Sequence, residues 1–287
     1  MKKVVFGSCL LLASCSPAHP PAHPPAQPDV HYTVGPAWQA QGQWYYPREE
    51  FAWQGTGLAI RQNRAEGALT ADGEVRSMAT MTASHPTLQL PAIVTVINLE
   101  NGRQVRVRVN DRGPEQMGRA IALSTQAANL LGMGSEPAQV RIVEDEVASR
   151  HLAEILPGGV ALQINAAPKE QVVQSSLGGS GGVVVETGRG GVDIPPASGG
   201  SIPDMPVAYA QGYAAPGMLW VETMDFTSRY AAMVQAGSHG GVVKPVMFGQ
   251  SMMWAVRQGP FATISAADAA LKRALDNGFN GSHIVVE

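Results

Sequence analysis

The sequence predicts a mainly β protein with an α+β companion: a compact β-barrel, a flexible linker, and a small βαββαβ domain. Three observations carry this. Short strand patterns joined by tight-turn signals fill the stretch from Trp44 to Glu144. A run rich in Gly, Ser, Pro and Val follows, from Pro157 to about Pro216. A second ordered block then begins at Leu219, with strand and helix patterns alternating. The 287 residues suffice for one large or two modest domains. Hydrophobic residues make up 45%, enough for a core, but 32 Gly, 21 Pro and only 15% charge imply that part of the length does not pack.

At the N-terminus Lys2 and Lys3 precede a short apolar run, Val4–Ala13. That run is too short for a hydrocarbon layer of about 30 Å and fits the apolar region of a signal peptide over 1–14. It ends Leu12-Ala13-Ser14-Cys15, which resembles the lipobox of bacterial lipoproteins. The resemblance implies that Cys15 is lipidated and becomes the new N-terminus. Ser16 in the next position implies the outer membrane, facing the periplasm. The alternative is a plain signal peptide with an incidental cysteine. Several acyl chains on one residue would anchor stably where a single chain is marginal. Cys9 would leave with the signal, so no thiol pair remains for a disulfide or a metal. Losing Lys2 and Lys3 leaves 18 basic residues of 20 against 23 acidic, a net charge of −5. Such a balance argues against nucleic acid as the partner, since phosphate binding needs clustered Lys and Arg.

The residues after Cys15, SPAHPPAHPPAQP, favour an extended, semi-rigid tether, expected over 15–43. His19, His23 and His31 read as part of that solvated tether rather than as metal ligands.

The barrel domain is expected over 44–147. Ala92–Leu99 is a β-rich run, and Glu100-Asn101-Gly102 supplies a hairpin turn. Gln104–Asn110 returns with Val105, Val107 and Val109 on one face and Arg106 and Arg108 on the other, the period of a half-buried strand. Ser124 can cap a short helix running to Leu131, with Gly132 placed to end it. Gln139–Val143 reads as a closing strand. Several strands with one small helix point to a barrel rather than a parallel α/β sheet.

The linker is expected over 157–217, because LGGSGG and SGGSIP bury too little to offset their ordering entropy. The last domain, 218–287, reads as strand Leu219–Met224, helix Thr227–Gln235 ended by Gly237, strands Val242–Met247 and Met252–Val256, a helix opened by a capping box at Ser265–Asp268 and closed near Asn277-Gly278, and strand Ile284–Val286. That order gives a small sheet with helices on one face.

Three segments of the barrel carry polar residues in a specific order: Thr70-Ala71-Asp72-Gly73-Glu74, then Thr82-Ala83-Ser84-His85-Pro86-Thr87-Leu88, then Asn110-Asp111-Arg112-Gly113-Pro114 followed by Leu123-Ser124. This order resembles the rare lipoprotein A (RlpA) family over about a third of the chain. The resemblance implies a six-stranded double-psi β-barrel. Three departures stand out: Asp72 replaces the usual Asn, Gly55–Ile60 lacks the aromatic opening S-W-Y-G, and Ile121-Ala122-Leu123-Ser124 lacks the usual Asp before Leu. Trp44, Tyr45, Tyr46 and Trp53 lie just upstream and read equally as substitutes or as core. Val234–Ser238, Val256–Phe261 and Gly278–Val286 resemble, more diffusely, a SPOR domain, which binds peptidoglycan glycan strands stripped of stem peptides and localises to the division septum.

The family is similar to lytic transglycosylases, which cleave the MurNAc–GlcNAc bond without water and leave a 1,6-anhydro end. The sugar's own C6 hydroxyl attacks, so the nucleophile is already tethered. One carboxyl can serve as acid and then as base, unlike the two-carboxylate hydrolases. The resemblance implies Asp111 in that role, Glu74 as second carboxyl and His85 as third catalytic member, with Arg112, Asp72 and Thr70 on substrate. Arg112 is expected to point away from Asp111, since contact would depress the acid's pKa. Taken singly, Asp72-Gly73 is an ordinary turn, His85 before Pro is structural, and Asp111 caps a turn. No metal or cofactor is expected. The expected partners are glycan strands, the membrane through the lipid, and septal division proteins. The alternative function is a catalytically silent, septal peptidoglycan-binding lipoprotein.

Overall fold

The computed structural model describes residues 27–134, 137–159, 202–248 and 251–287. The signal-like segment, Cys15 and most of the expected linker lie outside these residues. A small hairpin comes first, β1 (Trp38–Ala40) and β2 (Gln43–Tyr45). Then follow β3 (Gln54–Arg61), β4 (Thr82–Ser84), β5 (Ala92–Asn98), β6 (Arg103–Asp111), β7 (Ile121–Leu123), α1 (Thr125–Leu130), β8 (Ala138–Glu144) and α2 (Glu146–Ile155).

Six of these strands close into a barrel in the order β4-β7-β3-β8-β5-β6, with β6 returning to β4. The β3–β7 and β4–β6 pairings are parallel and the others antiparallel. The predicted hairpin forms as read: Ala92 faces Val109, Val94 faces Val107, and Val96 faces Val105. Those valines, with Met81, Leu90, Ile121, Leu123, Leu131 and Ile142, make the barrel core. Each such side chain removed from water contributes roughly 1.5–3 kcal/mol. Ser124 caps α1 as expected, its hydroxyl accepting from the Ala127 amide at 3.2 Å. Helix α2 is an element the sequence reading did not anticipate; Asp145 caps it.

The strand alternation misplaces one residue. Arg106 is exposed and reaches Asp145 at 2.6 Å, but Arg108 is buried. The Thr70–Arg76 turn covers the outer face of β6 near its end, and Arg108 meets Glu74 there.

Both expected tails pack for part of their length. Residues 27–34 are not free tether: Val30 and Tyr32 are buried, the Asp29 and His31 amides donate to Gly73 and Asp72 carbonyls, and Thr33 bridges Leu90. The end of the expected linker forms β9 (Tyr209–Gln211), antiparallel to Arg103–Val105 of β6. Partner strand β4 pairs with β6 only from Arg108 onward, which leaves an edge that β9 covers.

The C-terminal domain follows the anticipated order: β10 (Leu219–Phe226), α3 (Arg229–His239), β11 (Val242–Phe248), β12 (Ser251–Phe261), α4 (Ile264–Asp276) and β13 (His283–Val286). Its strands run β11-β12-β10-β13, all antiparallel. Two helix ends differ from expectation. Helix α3 runs through Gly237 and stops at Gly240, and the cap of α4 is Thr263, not the Ser265 box. Asp268 is thereby free for a contact described below.

Among the described residues no helix is long and apolar enough to cross a membrane.

Candidate active site

The end of β6 gathers the motif residues. Ser84 pairs with Asp111 while Ala83 pairs with Val109, so the ladder slips by one residue at Asn110. Such a bulge re-aims side chains at a strand end. Asp111 is buried. Its Oδ1 accepts from the Ala71 amide at 3.1 Å and the Arg112 amide at 2.9 Å. Its Oδ2 lies 2.7 Å from Arg76 Nη2 and 3.2 Å from Arg64 Nη1.

Glu74 is buried against β6. Arg108 and Asn110, two apart and so on one face of β6, both donate to its Oε2 at 2.9 Å. Arg108 Nε also lies 2.5 Å from Oε1, an ion-pair contact outside hydrogen-bond alignment. The Thr70–Arg76 turn thus packs on β6: Ala71 and Arg76 hold Asp111, and Glu74 meets Arg108.

Asp72 completes the turn. Its Oδ1 accepts from Thr70 Oγ1 at 2.7 Å and from the Glu74 amide at 3.2 Å. Its Oδ2 is buried with no hydrogen-bond partner among the described residues. Burial, and then the charge of Glu74, push its pKa up to about 8. Asp72 is therefore largely neutral at pH 7, while Glu74 and Asp111 each hold an arginine. Gly73, at φ +86°, carries the turn; a Cβ there would strike the Asp29 carbonyl.

His85 sits fully buried. Its Nδ1 accepts from the Thr87 and Leu88 amides at 3.3 and 3.2 Å, which puts the proton on Nε2. Burial, then the charges of Arg112 and Arg48, lower its pKa to about 3, so it stays neutral. The partners of Nδ1 are backbone groups, not a carboxyl. His85 joins Asp111 through the main chain, its amide donating to the Asp111 carbonyl at 3.1 Å. Its ring packs edge-on to Trp53 at 4.7 Å. Trp53 packs against the core, and Tyr45 stacks on Trp38 at 4.6 Å, whereas Trp44 and Tyr46 are exposed.

Arg112 turns its guanidinium away from Asp111, donating to the Leu88 and Val34 carbonyls. Burial lowers its pKa to about 10, still charged at neutral pH. Beside this cluster opens a cleft of about 240 Å³, lined by Ile60, Gln62, Arg64, Ser84, Arg112 and Glu115, among others. Arg64 bridges the two, one nitrogen on Asp111 and the other 2.5 Å from Glu115. Sequence reading missed Arg64, Arg76 and the inward turn of Arg108. Only the tertiary fold pairs these arginines with carboxylates 34 to 47 residues away. Among the described residues no group of three or more His, Cys, Asp or Glu could hold a metal ion.

A closed double-psi barrel with arginine-countered carboxylates beside an open cleft is the class that fold and site define. Residues 41–142 match the family described as lytic transglycolase. The chain is 51% identical over 71 residues to the endolytic peptidoglycan transglycosylase RlpA of Yersinia pestis, covering 25% of this chain and 20% of that one. It is 38% identical over 145 residues to the RlpA of Pseudomonas aeruginosa, covering 47% and 40%. The Escherichia coli K12 protein of the same name is 45% identical over 87 residues, covering 30% and 24%. The chain thus spans less than half the length of these relatives. Over these residues the barrel of this chain is similar to the RlpA proteins.

Proposed function

We propose that the barrel is an endolytic lytic transglycosylase acting on peptidoglycan glycan strands that lack stem peptides. The observation that carries this reading is Asp111, fixed at the end of β6 and held by Arg64, which lines an open cleft. The names of the relatives and the lytic transglycolase family match add support.

In this mechanism Asp111 is the acid/base. Protonated, it gives its proton to the glycosidic oxygen as the C1–O bond breaks. As carboxylate, it faces the oxocarbenium-like state and takes the C6 hydroxyl proton while that oxygen bonds C1. No water is consumed, and Asp111 ends protonated as it began. In the resting site Arg76 and Arg64 both hold the Asp111 carboxyl. Arg64 is the more exposed of the two, with a second carboxylate in Glu115 to hold it. A glycan seated in the cleft meets Arg64, and moving that guanidinium toward Glu115 frees Asp111 for the acid step. Glu74 fixes Arg108 and Asn110, and its charge adds to the burial that keeps Asp72 protonated. His85 positions the strand end and Arg112 shapes the cleft, whereas Thr70 and Asp72, expected on substrate, are buried against each other in the turn.

Incubation of the purified chain with stem-peptide-free glycan, followed by mass spectrometry, should yield anhydro-ended fragments. Asp111→Asn should lower their formation by about 10²–10⁴-fold. An inactive wild type would overturn the assignment.

The second reading is a catalytically silent glycan-binding lipoprotein. The observation that favours it is that Glu74 and Asp111 are each neutralised by arginine. Glycan pull-down that survives Asp111→Asn, without chain shortening, distinguishes it. In either case the C-terminal domain is proposed as a SPOR-like glycan binder, and Cys15 as the lipid anchor in the outer membrane, near septal division proteins.

A further inference from the structure

We propose that Arg119 is a positioning residue of the cleft: through its ion pair with Asp268, the docked C-terminal domain sets the wall segment Gly113–Arg119 and thereby the affinity of the cleft for glycan. This rests on the glycan-cleft reading above.

The segment has two anchored ends. At one end Gly113, Pro114, Glu115 and Gln116 line the cleft, and Glu115 holds the Arg64 guanidinium that also touches Asp111. At the other end the segment belongs to the C-terminal domain. Arg119 is buried, and its guanidinium donates to both Asp268 oxygens of α4, at 2.7 and 2.9 Å. This two-pronged geometry fixes direction as well as charge. Gly118, at φ +72°, lies so close to α4 and β13 that a Cβ would fall 2.8 Å from Leu271 Cδ2 and 2.9 Å from Ile284 Cδ1. Met117 packs into the apolar cluster that joins Leu58 and Leu99 of the barrel to Leu219, Leu271, Ile284 and Val286.

The docking is independently fixed nearby. Thr56 Oγ1 donates to the Val286 carbonyl at 2.8 Å and accepts its amide at 3.0 Å. Gln43 donates to the Ser282 carbonyl at 3.2 Å. Two elements therefore meet on one seven-residue segment: α4 holds its far end and the carboxylate cluster its near end. A buried guanidinium without its carboxylate is unfavourable, so loss of Asp268 drives Arg119 outward and shifts the wall. By linkage, whatever favours docking favours the cleft geometry that docking imposes, and the reverse.

The test uses the full chain in four forms: wild type, Asp268→Lys, Arg119→Asp, and the swap Arg119→Asp with Asp268→Arg. Hydrogen exchange reads the 113–119 amides against those of 92–98 and 105–109. Steady-state cleavage and sedimentation with stem-peptide-free glycan read KM, kcat and Kd. Each single variant should speed exchange in 113–119 and raise Kd and KM by about tenfold, with kcat little changed, and the swap should restore both. Faster exchange with unchanged Kd and KM would reduce the pair to a structural contact and overturn the proposal. So would a swap that restores nothing while its heat-unfolding midpoint matches wild type. A wild type that neither binds nor cleaves glycan would sink the functional reading and the affinity claim with it. Unchanged exchange in both single variants refutes the positioning claim even if the enzyme is active.

Discussion

Asp72 is the side chain whose chemistry the environment changes most within the carboxylate cluster. An acid with a raised folded-state pKa binds its proton more tightly when native. Its stabilising contribution is complete below the unfolded value near 3.8 and is lost as pH rises through about 8. Glu144, raised to about 7 chiefly by burial, acts in the same direction. Asp72→Asn keeps the neutral shape and removes the titration. Its unfolding midpoint should equal that of wild type near pH 4 and exceed it at pH 8; a wild type that gains on the variant over that range would refute the assignment. His85 works oppositely. Its folded-state pKa of about 3 gives stability that is present above 6.5 and lost as pH falls toward 3. At this scale the motifs located Asp72, Glu74, His85 and Asp111 by number, but the shifts of Asp72 and His85 come first from burial, which no local pattern marks.

The elements that hold the site are short, so single contacts matter. Strands β4 and β7 have three residues each, and α1 has six. Ser124 joins all three: it caps α1, donates to the Thr80 carbonyl at 2.6 Å, and gives its amide to Thr82. Ser124→Ala should cost about 1–2 kcal/mol in urea unfolding without changing the m-value. Leu123→Ala, in the barrel core, should cost about 2–5 kcal/mol by the same measurement. The β5–β6 hairpin and the α1 cap were legible because alternation and capping are local rules. Arg108 broke the alternation because the covering turn comes from 34 residues earlier in the chain. Helix α2 escaped notice because it follows a strand with only Asp145 to mark its start.

For the whole molecule the two sheets share one apolar interface rather than hanging on a loose connection. Leu271 lies in that interface, fully buried. Leu271→Ala should lower the unfolding midpoint of the barrel as well as of the C-terminal domain, read by exchange at 92–98 in one and 284–286 in the other. Two midpoints moving independently would refute shared stability. The expected linker and tether were read from composition, which reports low burial on average. It does not reveal that Tyr32 finds a pocket or that β9 finds an open edge of β6.

The sequence by itself determined the barrel strands β5, β6 and β8, the βαββαβ order and the identity of the motif carboxyls, because strand period, turn residues and caps act over a few positions. Only the tertiary structure decided which carboxyls are countered by arginine, which stays protonated, and that the second domain presses on the wall of the cleft. Those outcomes depend on burial and on charges brought together from distant positions, and neither quantity exists until the chain has closed.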